Sequence, residues 1–399
     1  MKLNDIAEFV TDKISSSSIS LENYVTTDSL LQNKRGRETA QNLPPMLCAL
    51  THYKRGDVLV ANIRPYLKKV WFADSEGGCS SDVLVFRAKN GHYPSFLYTV
   101  LIQDAFFDYA MSGAKGSKMP RGDKDQIMRY ELPTFTSLEE ENIGNIMVDI
   151  MSKINVNRLI NDNLEEQLRL ITSRYIFGSP YLKKKRIGEI ATIKAGGDCP
   201  ITFSKTRTQE CNIPIFSNGT EDRGLYGFTN KANIEGHSIT VAARGTIGYC
   251  ERRLMPFVPI IRLLAITPKE DGAYIYLHQV IRGMKFKKNG SVQQQLTVPE
   301  ISFIEIPYPH SSVLLEYNNV ANPIVEMIER NINENEILTK QRDELLPLLM
   351  NGQASVNYHL SVLLITKIML YYKETNINFG YERNNNTKRF RWNESGSVS

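Results

Sequence analysis

The chain has 399 residues, of which 42% are hydrophobic and 23% are charged. This composition is typical of a water-soluble protein, and the length exceeds one hydrophobic core, so we expect two or three domains. The formal net charge of +5 permits a nucleic-acid partner without requiring one. The N-terminus has no signal-peptide pattern and the most apolar run, 360–372, is too short to span a bilayer, so we expect a cytoplasmic protein with no membrane partner.

Residues that commonly mark catalytic and metal sites are scattered along the chain. The five cysteines form no CxxC pair, which favours a reducing compartment and argues against disulfides or a structural zinc ion. The sequence has no GxxxxGK[ST] loop, no GxGxxG after a strand, and no HExxH or GxSxG motif. We therefore expect no catalytic site, metal or cofactor in this chain.

The first part of the chain predicts a mixed α/β domain. The run GDVLVANIRP (56–65) reads as a strand that ends in a turn at Arg64, and a second strand is predicted over Asp82–Arg87. Short apolar helix candidates follow within Ser95–Met111, and then a loop containing Gly116 and Ser117.

A long helix follows, with apolar residues spaced alternately four and three apart. This spacing is the seam of a helix that packs along another helix. The seam consists of Ile143, Met147, Ile150, Ile154, Asn157, Asn161, Leu164, Leu168, Ile171 and Tyr175.

The whole plan then repeats. The run GHSITVAARG (236–245) places Arg244 opposite Arg64, and a second strand is predicted over Ile260–Ile266. A helix near Ala273–Met284 and a loop at Gly290 and Ser291 come next. The helical seam recurs with a shift of 174 residues, as Tyr317, Ala321, Ile324, Ile328, Asn331, Asn335, Leu338, Arg342, Leu345 and Leu349.

Two asparagines lie in the middle of each seam. An asparagine there weakens packing but selects one register, because its amide needs a partner. We therefore expect Asn157, Asn161, Asn331 and Asn335 to meet near mid-length of two antiparallel coiled-coil helices. The fold class is α+β, with two mixed α/β domains separated by these helices in a pseudo-twofold internal repeat. Two unrelated amphipathic helices are the alternative.

Basic and amide side chains cluster at equivalent places in the two halves. In the first half they are Arg64, Lys68, Lys69, Lys115, Ser117, Lys118 and Arg121. In the second half they are Arg244, Thr246, Arg252, Arg253, Lys287, Lys288, Asn289, Ser291, Gln293, Gln294 and Gln295. Lysine and arginine neutralise phosphates, while arginine, glutamine and asparagine read base edges through paired hydrogen bonds. A solvated charged loop is the simpler interpretation for any one residue, but the repetition favours a DNA-binding role.

With these residues in hand, the chain resembles the specificity subunit of type I restriction–modification systems over about residues 1–355. The segments SGAKGSKMPRGDKDQI, RIGEIATIKAGGDCP and IPIFSNGTEDRGLYGF resemble its target recognition domains, and NRLINDNLEEQL resembles a central spacer helix. The resemblance implies recognition domains at 1–136 and 179–310, spacer helices at 137–178 and 311–352, and a weakly ordered tail at 353–399.

The resemblance also implies a division of labour among subunits. This subunit would be non-catalytic and would read double-stranded DNA with two half-sites, one for each recognition domain. Its partners would be two methyltransferase subunits and the restriction–translocase subunits. S-adenosylmethionine, ATP and magnesium would be bound by those partners. A structural or interaction protein with a helical strut, and an enzyme with an unrecognised site, are the alternative functions.

Overall fold

The structure is a computed structural model that describes residues 1–177, 182–270, 272–286 and 295–354. The chain divides into two compact units. Unit 1 comprises Met1–Asn155 and the described residues from Asn335 onward, and unit 2 comprises Val156–Glu334. No helix in the described ranges is long and apolar enough to cross a membrane.

The helices include two long ones, each of which contributes residues to both units. In chain order the α-helices are α1 (Leu3–Ile6), α2 (Pro94–Leu101), α3 (Asp104–Ser112), α4 (Lys124–Ile127), α5 (Ser137–Thr172), α6 (Ile187–Ile190), α7 (Ala273–Arg282), α8 (Val298–Ser302) and α9 (Ser311–Met350). The two long helices are α5 and α9. The short helix candidates predicted at Ser95–Met111 are the two helices α2 and α3, which are separated at Gln103, whose backbone is extended and whose side-chain amide donates to the Val100 carbonyl.

Unit 1 contains two four-stranded sheets. Their strands are β1 (Ala7–Phe9), β2 (Lys13–Ser15), β3 (Tyr24–Val25), β4 (Ala49–Tyr53), β5 (Val58–Ala61), β6 (Val70–Phe72), β7 (Gly77–Cys79) and β8 (Val83–Ala88). One sheet is antiparallel with the order β1-β8-β5-β6, and the other has the order β2-β4-β7-β3. The first sheet and α2 enclose an apolar core that includes Phe86, Phe96 and Phe106.

Unit 2 repeats the first of these sheets. Its strands are β9 (Lys183–Arg186), β10 (Ala191–Ala195), β11 (Ile213–Phe216), β12 (Leu225–Thr229), β13 (Ser238–Val241), β14 (Cys250–Arg253), β15 (Val258–Pro259), β16 (Leu264–Pro268) and β17 (Glu305–Tyr308). The order β10-β16-β13-β14 matches β1-β8-β5-β6 strand for strand, while β12-β11-β15 and β17-β9 form two smaller sheets. The predicted internal repeat is confirmed.

One predicted strand is partly wrong. The sequence predicts a strand over Ile260–Ile266, but β16 begins only at Leu264. Residues 260–263 form a tight turn instead, with Ile261 and Arg262 in the left-handed region and the Leu263 amide donating to the Ile260 carbonyl. An apolar run is consistent with a strand, and periodicity alone does not reveal a turn within it.

The helical seams are buried as the spacing predicts. Every one of the twenty seam residues is buried or half-buried. In unit 1 the Asn335 amide donates to the Ile154 carbonyl at 3.2 Å, and Arg342 reaches the Met151 sulfur. Asn335 of α9 contacts Ile154 of α5, whereas the later residue Arg342 contacts the earlier residue Met151. The two helices therefore run antiparallel.

In unit 2 the same antiparallel pairing holds, and asparagines meet in the seam. Asn331 donates to Asn161 at 2.8 Å, and Asn161 donates to the Ile328 carbonyl at 3.2 Å. Asn157 donates to Glu334 at 2.7 Å. The bond from Asn161 to Ile328 is the repeat equivalent of the bond from Asn335 to Ile154, so the duplicated sequence makes the same contact twice. These contacts favour the observed register, because a shifted pairing would separate Asn161 from Asn331 and Asn157 from Glu334.

The second long helix ends where the sequence predicts. Gly352 is left-handed, with a φ of 68°, and its amide donates to the Leu349 carbonyl. This is the expected glycine termination of a helix. The equivalent Gly178 lies outside the described residues, as does the predicted tail beyond residue 354.

Charged side chains link the β10-β16-β13-β14 sheet of unit 2 to both long helices. Arg252 on β14 binds Glu165 of α5, which also binds Arg282 at 2.7 Å. Arg223 binds Glu251 of β14 at 2.9 Å and Glu329 of α9 at 3.2 Å. Burial tends to raise the pKa of Glu251, but the charges of Arg223 and Arg253 and the Tyr249 hydroxyl together outweigh it, and the pKa is lowered.

Arg252 and Arg253, grouped with the exposed basic residues on sequence grounds, are instead buried. Arg253 lies 3.6 Å over the Phe216 ring, and burial lowers its pKa to about 10. Arg252 also donates to Nδ1 of the buried His278 at 3.1 Å. These carboxylate, aromatic and imidazole partners, distant in sequence, are the reason that buried arginines are tolerated here.

The equivalent place in unit 1 is apolar. Phe72 of β6 stacks on Tyr98 of α2, with ring centroids 5.1 Å apart. In the repeat, Phe72 corresponds to Arg252 and Tyr98 corresponds to His278. The two units therefore join sheet to helix at this point by different chemistry.

Replacing Asn161 with alanine tests the asparagine contacts. The change leaves the Asn331 amide and the Ile328 carbonyl without their partner, so we expect the free energy of unfolding to fall by about 1–3 kcal/mol. Urea denaturation followed by circular dichroism measures this. Asn163→Ala, at an exposed position of the same helix, is the control and should cost about 0.5 kcal/mol or less. Equal costs for the two variants would contradict a register role.

His278 makes the stability of unit 2 sensitive to acid. Burial, helped by Arg252, holds the pKa of His278 well below its ordinary value. The unfolded chain therefore takes up a proton at a higher pH than the folded chain does. Consequently the free energy of unfolding decreases as the pH falls below about 6.5, by up to about 1.4 kcal/mol per pH unit.

The variant His278→Gln keeps an acceptor for Arg252 but does not titrate. We expect a shallower loss of stability between about pH 7 and pH 5.5 than in the unsubstituted chain, measured by urea denaturation across that range. His310→Gln, at an exposed histidine, is the control and should keep the original slope. An unchanged slope in the His278 variant would show that this histidine does not carry the effect.

Candidate nucleic-acid interface

In unit 1 the structure brings the strand-end arginine and the Gly-Ser loop together. Arg64 follows β5, is exposed, and has a left-handed backbone with a φ of 52°. Its amide donates to the Pro120 carbonyl at 2.8 Å, and Ile63 pairs with Arg121. Arg121 pairs in turn with Lys115, so the loop closes on itself beside Arg64. Residues separated by more than fifty positions in sequence thus share one surface.

Ion pairs hold the base of this loop. Lys115 binds Asp123 at 2.8 Å, and Arg121 binds Asp82 at 3.1 Å. The hydrogen bond from Lys115 lowers the pKa of Asp123, and the same bond raises the pKa of Lys115. Ser117 and Lys118 lie between the two pairs and are exposed. The loop therefore has a braced base and presents a lysine and a hydroxyl at its tip.

Lys68 and Lys69 are bound to protein groups. Lys68 and the buried Lys34 share one oxygen of Asp104, at 2.8 Å and 2.7 Å. Lys69 donates to the Thr27 carbonyl at 2.5 Å, and burial lowers its pKa. The role predicted for these two lysines as DNA contacts stays a prediction, while their position shows that they brace the segment after Arg64.

Unit 2 builds the corresponding surface around Arg244. This residue follows β13, is exposed, and donates from Nε and Nη2 to Gln295 Oε1 at 3.1 Å and 2.6 Å. The Leu296 amide donates to the Ala243 carbonyl at 2.9 Å. The end of the glutamine run therefore lies against the strand-end arginine, as the loop lies against Arg64 in unit 1.

Six of the predicted site residues lie outside the described residues. They are Lys287, Lys288, Asn289, Ser291, Gln293 and Gln294. The chain on both sides is described: Phe286 covers Gly248, and Gln295 binds Arg244. Both ends of this segment thus meet the loop that begins at Arg244.

Asn218 is a site residue that the sequence reasoning missed. Its Oδ1 accepts from the Ala243 amide at 2.7 Å, and its carbonyl accepts from the Thr246 hydroxyl at 2.9 Å. Its Nδ2 donates to the Ile261 carbonyl at 2.6 Å. Asn218 therefore joins three segments of the candidate surface. Its Ser-Asn-Gly sequence (217–219) signals a turn, but nothing local indicates which segments the turn connects.

The described residues include no group of histidine, cysteine, aspartate and glutamate side chains able to hold a metal ion. What the two surfaces offer is exposed guanidinium, ammonium, hydroxyl and amide groups. These groups hydrogen-bond to phosphate oxygens and base edges.

Comparison with known proteins places the chain in a family. The family described as "Type I restriction modification DNA specificity domain" matches residues 182–346. The putative type I specificity subunit S.MpnORF89P of Mycoplasma pneumoniae is 32% identical over 175 residues, which is 42% of this chain and 52% of that protein. The protein named putative type I specificity subunit S.MpnORF289P C-terminus, from the same organism, is 32% identical over 129 residues, which is 31% of this chain and 88% of that protein.

A solved structure shares the fold. The crystal structure of a type I S subunit from Mycoplasma genitalium aligns with a TM-score of 0.58 and 16% identity, covering 88% of this chain and 95% of that one. The chain spans about half the length of the first curated relatives it matches, 52% and 45%. The sequence matches to these relatives show that the chain belongs to the specificity subunits of type I restriction–modification systems.

Proposed function

We propose that the chain is the DNA-reading subunit of a type I restriction–modification complex. Each unit binds one half of a two-part duplex target, with unspecified base pairs between the halves. The observation that carries this proposal is the repeated surface: in each unit an exposed arginine at the end of a central strand lies against a polar loop.

The two surfaces are alike in position and different in composition. Around Arg64 the loop presents Lys118 and Ser117, whereas Arg244 is bound to Gln295 and lies near Thr246. Because the two surfaces lie at equivalent positions of the two units, each is suited to contact the regular backbone of one DNA duplex. Because their side chains differ, each is suited to a different base sequence. Affinity from phosphate contacts and selectivity from base contacts are then divided among these residues.

The long helices supply the proposed docking faces for methyltransferase subunits. They expose large apolar side chains away from the buried seam, among them Leu159 (60% exposed) and Leu170 (53%) on α5, and Leu315 (66%) and Ile337 (58%) on α9. Exposed aliphatic groups of this kind favour a protein partner. In this assignment the chain itself is not catalytic. S-adenosylmethionine, ATP and magnesium belong to the methyltransferase and restriction–translocase partners.

Enrichment from a randomised duplex library tests the proposal. The full chain, purified with methyltransferase subunits of its host, should enrich a split motif with two defined parts and an undefined gap. A single contiguous motif would contradict the assignment of one half-site to each unit. Failure to retain any duplex, while the methyltransferase subunits stay bound, would instead favour a protein whose helices recruit partners without DNA recognition.

Alanine variants separate the roles of two residues in unit 1. Arg64→Ala should relax selection within one half of the motif, by about 1–3 kcal/mol per affected base pair. Lys118→Ala should weaken binding to all duplexes alike and reduce the slope of log affinity against log salt by about one. Titration of labelled duplexes at several salt concentrations measures both effects.

Arg129→Ala removes an exposed arginine whose guanidinium donates to the Asp125 carbonyl, and it serves as the matched control. Its affinity, selectivity and salt slope should equal those of the unsubstituted chain. If Arg64→Ala changed only the salt slope, Arg64 would be a phosphate contact and the base-reading role would be wrong.

A further inference from the structure

A tight turn in unit 2 carries residues that such turns normally exclude. Ile261 and Arg262 are both left-handed, with φ values of 52° and 65°, and the Leu263 amide donates to the Ile260 carbonyl at 3.0 Å. A two-residue turn with both central φ values positive strongly favours asparagine and glycine. A β-branched residue in this region is a conformational outlier.

The surrounding backbone holds the turn in this shape. The Ile261 amide donates to the Gly197 carbonyl at 2.9 Å, and the Arg262 amide donates to the Gly196 carbonyl at 3.0 Å. The Gly196 amide donates back to the Leu263 carbonyl at 2.8 Å. A Cβ on Gly196 would lie 2.6 Å from the Pro259 carbonyl carbon, so only glycine permits this approach. The glycine at position 196 is therefore explained by its close approach to the turn.

The turn belongs to the candidate DNA surface. The Ile261 carbonyl accepts from Asn218 Nδ2 at 2.6 Å, and the same asparagine binds the Ala243 amide and the Thr246 hydroxyl. One residue thus links the turn to the loop that carries Arg244. The side chains of Ile261 (49% exposed) and Arg262 are both directed to solvent.

The fold itself does not demand the strain. The repeat-equivalent turn in unit 1, Ser80–Val83, closes with the same hydrogen bond at 3.0 Å. Its central residues Ser81 and Asp82 are not left-handed. Asp82 nevertheless binds Arg121 of the Gly-Ser loop, so the turn meets the candidate surface in unit 1 as well. Strained residues persist where surrounding structure over-determines them, and they concentrate at functional sites.

We propose that Ile261 and Arg262 are specificity-determining residues of unit 2, reading base edges in the major groove of its half-site. The inference rests on the proposed DNA-reading function. The aliphatic side chain of Ile261 contacts a thymine C5-methyl group, and the Arg262 guanidinium hydrogen-bonds to an adjacent guanine. Ile261 is an exposed apolar side chain beside arginine, threonine and amide groups. Such a combination is suited to the major groove, where the bases present both methyl groups and hydrogen-bond acceptors.

The double variant Ile261→Asn/Arg262→Gly tests this, because it installs the residues that the turn geometry favours. Relief of the left-handed strain should raise the midpoint of thermal unfolding by about 5 °C. At the same time, library enrichment by the full chain with its methyltransferase partners should lose one or more positions of the unit 2 half-site. The unit 1 half-site should be enriched as before, which makes it an internal control. Selectivity at the affected positions should fall about tenfold or more.

A chemical change in the DNA isolates the methyl contact. Replacing thymine by uracil in the unit 2 half-site should weaken binding by the unsubstituted chain several-fold, because the C5-methyl group is removed. The single variant Ile261→Asn should be indifferent to the replacement. Ile201→Asn, at a fully exposed isoleucine outside the turn, should respond to uracil as the unsubstituted chain does.

The outcomes distinguish this inference from the function on which it rests. If the unsubstituted chain enriches no two-part motif, the DNA-reading assignment itself fails. If it does, and the double variant enriches the same complete motif, the turn does not determine specificity. Loss of the half-site together with a lower unfolding midpoint would make the turn a structural support and would also overturn the inference.

Discussion

The antiparallel packing of two long helices is the constraint on which the rest of the structure depends. Their seams bury aliphatic residues and place Asn161 and Asn331 in mutual contact, so that a shifted register would leave amides without partners. Because α5 and α9 each contribute to both units, neither unit is complete without both helices. Both units are therefore built on one polar and apolar pattern, which the chain encodes twice.

Sequence periodicity predicted the helices, their pairing and the internal repeat because those features depend on regular spacing. The α+β class and the ends of α9 follow from the same patterns. Periodicity failed where geometry is set by contacts distant in sequence. Ile260–Ile266 has the composition of a strand, yet Gly196 and Gly197 bend its first part into a turn. Arg252 and Arg253 have the composition of a surface patch, yet Glu165 and the Phe216 ring allow their burial.

The candidate surface was predictable in outline only. Recurrence of Arg64 and Arg244 at strand ends indicated where polar groups gather, and the backbone contacts with the following loops agree with that position. Whether a given lysine faces solvent or a carboxylate was not readable from sequence, as Lys68 beside Asp104 shows. Asn218 was missed because its importance lies in joining three segments, and a single asparagine in a turn carries no sign of its distant partners.

The aromatic pair Phe72–Tyr98 and the polar pair Arg252–His278 occupy matching places in the two copies of the module. Exchange of a single member between copies would set a guanidinium against a phenol ring, or a phenyl ring against Glu165, which would lose Arg252 and keep Arg282 as an ion partner. The effects of substitutions at these positions should therefore be coupled within each pair. Mixing single residues between the two interiors would break these matched contacts, which follow the chemistry that each copy adopted.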